Sequence, residues 1–92
     1  MTRIDWNDDK NEWLTRVRGI SFEDMLYHLT HGGLLDIIRQ TNPERYPGQM
    51  ILVVNVEKCA YLVPYVRKDD VIFLKTIIPS RKMTRKYLGE GS

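Results

Sequence analysis

The sequence predicts an α+β domain: two amino-terminal helices packed on an antiparallel sheet of about four strands, with a short basic helix at the end. Three observations carry this reading. Apolar residues recur at helical spacing between Trp13 and Leu29. Beyond Gly33 the period changes, and runs rich in Val and Ile fill most of residues 34–78. The joints between the later runs are short and polar, which suits antiparallel hairpins rather than crossovers.

Each element follows from its own residues. Ile4 and Trp6 share a face at period two, so Arg3–Trp6 reads as a short first strand. Asn7-Asp8-Asp9 supplies a helix start: a side-chain cap, then acids that suit the positive end of the helix dipole. Residues 9–17 place Trp13, Leu14 and Val17 on one face, and Gly19 closes the helix. A second helix opens at the cap residue Ser21, with Glu23 and Asp24 in its first turn. Phe22, Met25, Leu26 and Leu29 form its apolar stripe, and Gly32-Gly33 ends it.

The isoleucines and flanking glycines make Leu34, Leu35, Ile37 and Ile38 a strand. Two prolines and a glycine make residues 42–48 a loop. Strands are expected at about 50–56, 60–67 and 71–78, and Pro64 points to an edge position or a bulge in the second of these. Pro79 stops the last one. Residues 83–88 begin a short terminal helix, and 89–92 read as a flexible tail.

A length of 92 residues holds a single domain, 1–92. No apolar run approaches the ~18 residues of a membrane span, and the start of the chain lacks the apolar stretch of a signal peptide. The one cysteine, Cys59, cannot form an internal disulfide, which fits a reducing cytoplasmic location. Charge is unevenly spread. Residues 1–38 carry four basic and seven acidic side chains, a balance of −3; residues 39–92 carry ten basic and five acidic, a balance of +5. Arg81, Lys82, Arg85 and Lys86 stand together with no acid among them, a cluster that attracts phosphate or simply forms a solvated helix face.

Little else carries chemistry. His28 and His31 lie on nearly one face of the second helix, but no further ligand motif accompanies them, so neither a metal nor another cofactor is expected. Ser80 and Cys59 lack a spacing that implies a base partner. Arg81 and Arg85, four apart, would present two guanidinium groups on one helix face, able to hold a phosphate and its developing charge. Tyr87 could donate a proton or stack on a base, or else pack on the sheet.

Three segments resemble the BrnT-type toxin family: Ile4-Asp5-Trp6-Asn7-Asp8-Asp9-Lys10 at the start, Arg18-Gly19-Ile20-Ser21-Phe22-Glu23, and Ile77-Ile78-Pro79-Ser80-Arg81-Lys82-Met83-Thr84-Arg85-Lys86-Tyr87 near the end. They occur in the family's order and span most of the chain. The resemblance implies a RelE-like fold and the toxin role of a type II toxin–antitoxin pair: a metal-independent endoribonuclease that inhibits translation. It also implies a cognate antitoxin, through which alone the complex meets operator DNA. Carried over by position, Lys10, Arg81 and Arg85 match basic family positions and Tyr87 a terminal aromatic one. Where the family commonly has Lys-His before the glycine, this chain has Val17-Arg18, and arginine does not serve as a base.

The resulting expectation is RNA cleavage with the 2′-hydroxyl as nucleophile. Arg81 and Arg85 would bind the phosphate, Lys10 or Arg18 would support them, Lys82 and Lys86 would hold flanking RNA, and Tyr87 would act as acid. His28 or His31 is the candidate base. The alternative is a non-catalytic module that uses the same basic cluster to bind nucleic acid or an acidic partner.

Overall fold

A computed structural model describes residues 2–89. Its elements run β1 (Arg3–Trp6), α1 (Asp8–Arg18), α2 (Phe22–Thr30), β2 (Leu34–Arg39), β3 (Gln49–Val56), β4 (Cys59–Lys68), β5 (Val71–Leu74), β6 (Ile78–Pro79) and α3 (Arg81–Leu88). The expected tail beyond Gly89 lies outside the described residues.

Both amino-terminal helices begin as their residues dictate. The Asn7 side chain accepts from the Lys10 amide at 2.9 Å, and Gly19 closes α1 at φ +69°, a conformation that a side chain would oppose. Ser21 and Asp24 exchange side-chain and backbone hydrogen bonds as a capping box on α2. Asn11 joins the two helices, donating to Glu23 at 2.7 Å while accepting from the Phe22 amide at 2.7 Å. Gly33 then brings α2 onto the sheet. A Cβ there would lie 2.6 Å from the His28 carbonyl oxygen, so no larger residue fits.

The sheet corrects the expected architecture. It is six-stranded and mixed, in the order β1-β5-β4-β3-β2, with β6 paired to β4. β1 joins it parallel to β5, Arg3 opposite Val71 and Trp6 opposite Leu74. The remaining pairs are antiparallel. The run expected as one strand over 71–78 is two, β5 and β6, lying along the same side of β4. Pro64 explains the break. Its carbonyl accepts from Lys75 at 2.8 Å, so its missing N–H faces that same side, opposite the interruption at 75–77. β4 is therefore central rather than an edge, and the proline's blank position falls where the neighbouring strand leaves the ladder.

The expected RelE-like arrangement, two amino-terminal helices on a four-stranded antiparallel sheet, is also overturned, because helices lie on both faces of a six-stranded mixed sheet. Leu14, Phe22 and Met25 from α1 and α2 meet Leu52, Val54, Val63 and Leu74 on one face of the sheet, with Ile77 completing the core. Each such fully buried side chain contributes roughly 1.5–3 kcal/mol. Trp6 stacks on Phe22 at 5.6 Å, which brings β1 under the same helices. The alternate residues Ile51, Val53, Ala60 and Leu62 point to the opposite face, and α3 covers part of it. Val53 and Ala60 are buried there. Helices pack on both faces, which accounts for the consecutive buried residues Leu52, Val53 and Val54. No helix among the described residues is long and apolar enough to cross a membrane.

Candidate nucleic-acid interface

α3 begins two residues before the expected start, because Ser80 caps it, accepting from the Met83 amide at 3.2 Å. At about 100° per residue, Arg81, Lys82, Arg85 and Lys86 fall within an arc of about 140°. All four are exposed. Met83, Thr84, Tyr87 and Leu88 occupy the facing arc and are half-buried. Among the described residues no carboxylate lies within ion-pair distance of any of the four cations.

Polar contacts anchor the inner face. The Thr84 hydroxyl donates to the Ser80 carbonyl at 2.7 Å and accepts from the Ala60 amide at 2.9 Å, tying the helix to β4. The Ser80 amide donates to the Ala60 carbonyl at 3.0 Å. Further along, the Tyr87 hydroxyl donates to the Asp36 carboxylate of β2 at 2.5 Å. That hydrogen bond, with a second from the Ile37 amide and the nearby Lys86 charge, holds the Asp36 carboxyl below the usual aspartate range. The same hydrogen bond, desolvation and the Asp36 charge push the Tyr87 hydroxyl above the usual tyrosine value. At neutral pH the pair is thus a phenol donating to a carboxylate. Lys86 Nζ sits 5.4 Å from the Tyr87 ring centre.

The fold thus brings Arg81, Lys82, Arg85, Lys86 and Tyr87 together on α3. Lys10 and Arg18 belong to α1, on the other side of the sheet. Lys10 Nζ lies 4.5 Å and the Arg18 guanidinium 5.3 Å from the ring centre of Trp13. Arg18 also donates to the Ile77 carbonyl, in the segment that leads into β6 and α3. It fastens the root of the basic helix instead of joining its exposed face.

His28 lies on α2 and His31 caps its end, on the helices packed against the sheet face opposite α3. The His31 ring stacks on Tyr27 at 4.1 Å and its Nδ1 lies 2.7 Å from the Tyr27 carbonyl oxygen. Asp36 is the residue that sequence reasoning missed. It stands in an apolar run and gave no signal beyond being the one polar break in it. Among the described residues no His, Cys, Asp or Glu side chains gather as a metal site.

Beside α3 the uncovered part of the same sheet face forms a groove of about 500 Å³, floored by Ile51, Leu62 and Pro64 and walled by Met83. None of the four α3 cations lines it. Comparison with protein-family models, with characterised proteins and with solved structures finds no match. The likeness to BrnT-type toxins rests on the three segments of sequence quoted above.

Proposed function

We propose that this chain acts on RNA as the toxin half of a toxin–antitoxin pair, holding the RNA backbone on the exposed face of α3 and cleaving it without a metal. The observation that carries this reading is the set of four cations on one face of a helix whose other face is bonded to the sheet. Cations held on such a helix, with no carboxylate among the described residues within ion-pair distance, are available to phosphate. The terminal segment of the toxin resemblance contains all four.

In the cleavage step the RNA 2′-oxygen bonds to phosphorus and the bond to the 5′-oxygen breaks, leaving a cyclic phosphate. Arg81 and Arg85 neutralise the charge that grows on the phosphoryl oxygens. Tyr87 gives its proton to the departing 5′-oxygen once its hydroxyl turns away from Asp36. The proton of the 2′-hydroxyl passes to solvent water.

The test is incubation of purified chain with a single-stranded RNA in the presence of a chelator, with products resolved by end-group analysis. Cyclic-phosphate ends from the wild type, and none from Arg81→Ala/Arg85→Ala or Tyr87→Phe, are expected. Growth arrest on expression, relieved by the neighbouring reading frame, would establish the antitoxin. A second reading, binding without cleavage, is favoured by one observation: the α3 cations stand on an open surface and line no described concavity. Salt-sensitive RNA binding with no cleavage would select it.

A further inference from the structure

We propose that the groove beside α3 seats one unpaired nucleobase of the RNA whose backbone lies along that helix; this rests on the RNA reading above. A nucleobase is a flat ring with apolar faces and a polar edge, and the groove offers both surfaces. Ile51, Leu62 and Pro64 form an apolar floor, and Met83 of α3 forms the wall nearest the basic helix. Tyr46, from the loop between β2 and β3, stands on the far side with the Gln40 and Gln49 side chains.

The two amides decide the class of ligand. Gln40 Nε2 donates to Gln49 Oε1 at 3.2 Å, and Gln40 Oε1 accepts from the Thr41 amide at 3.0 Å. Gln40 is thereby fixed, while the amide nitrogen of Gln49 keeps its two N–H groups for a ligand. A ring nitrogen or carbonyl on a base edge accepts from such a group, the way single-stranded RNA is read by sequence. An apolar peptide side chain would fill the same space but leave the amide facing hydrocarbon. Charge fits as well. Lys75 lines the groove and α3 carries four more cations beyond Met83, so the phosphates on either side of a seated base would meet positive charge.

The experiment compares binding of a short RNA oligonucleotide with that of the same oligonucleotide made abasic at each position in turn. The variants are Gln49→Leu and, to fill the groove, Ile78→Trp, each checked for a wild-type melting profile. The wild type should lose about tenfold in affinity when one particular base is removed. Gln49→Leu should narrow this difference to about threefold, with its abasic affinity unchanged, and Ile78→Trp should bind intact and abasic RNA within about twofold of each other. Equal wild-type affinity for intact and abasic RNA would overturn the base site while leaving the RNA reading intact. No binding of either RNA would instead remove the RNA reading. Selective wild-type binding of an acidic amphipathic peptide, lost in Ile78→Trp, would assign the groove to a protein partner and overturn the proposal.

Discussion

The Tyr87 hydroxyl donates to the Asp36 carboxylate at 2.5 Å, fastening the end of the terminal helix to the outermost strand on that side of the sheet. Two lowered and raised acidities follow from this one bond. The Asp36 carboxyl sits below its ordinary value, so its contribution to stability is complete above about pH 4 and is lost as the pH falls through the lowered value. The Tyr87 hydroxyl sits above its ordinary value, so its contribution is complete below about pH 10 and is lost as the pH rises through the raised value. Thermal unfolding of Tyr87→Phe against the wild type should show a small, constant deficit between these limits that closes toward both extremes. A deficit independent of pH at both ends would mean that the hydrogen bond contributes nothing.

Thr84 is the second anchor of the helix. Its hydroxyl serves the Ala60 amide and the Ser80 carbonyl together, and Thr84→Val keeps the shape while orphaning a part-buried N–H. A loss of about 1–3 kcal/mol is expected in urea unfolding, with Thr84→Ser losing much less. A loss in Thr84→Ser with none in Thr84→Val would place the effect in the methyl group rather than in the hydroxyl.

Arg18 should separate stability from binding. It donates to the Ile77 carbonyl and lies against Trp13, so Arg18→Met should lower stability by about 1 kcal/mol. RNA affinity should stay within about twofold of wild type, because the exposed α3 face is untouched. Unchanged stability with weakened RNA binding would return Arg18 to the binding surface.

The β3–β4 hairpin turns on Glu57 and Lys58 at φ +51° and +70°, an arrangement that favours Asn-Gly. Each of these side chains opposes the left-handed backbone by about 1 kcal/mol. The Glu57→Asn, Lys58→Gly variant should therefore gain on the order of 1 kcal/mol in urea unfolding, without a change in RNA affinity. A variant no more stable than wild type would show that the turn is relaxed as it stands.

Local signals carried over from sequence to structure well. The first strand, the caps Asn7 and Ser21, and the closing Gly19 are decided by neighbouring residues, and they stand where their chemistry puts them. The sheet did not follow in the same way. A parallel pair such as β1 with β5 joins segments some seventy residues apart and leaves no local mark. Pro64 was a readable irregularity, but whether its missing N–H faced an edge or an interruption depends on which neighbour its carbonyl addresses. The basic face of α3 was legible from spacing alone. Its partner Asp36 was not, because the two meet only when β2 and α3 converge on one face of the sheet.

The most direct measurement is the salt dependence of RNA binding by the wild type and by Arg81→Ala/Arg85→Ala. Each cation that neutralises a phosphate of a single strand adds about 0.7 to the slope of log affinity against log salt. Four such contacts give the wild type a slope of about −2.8, and the double variant should be shallower by about 1.4 and weaker at low salt. Identical slopes and affinities for the two proteins would contradict the assignment of phosphate binding to α3.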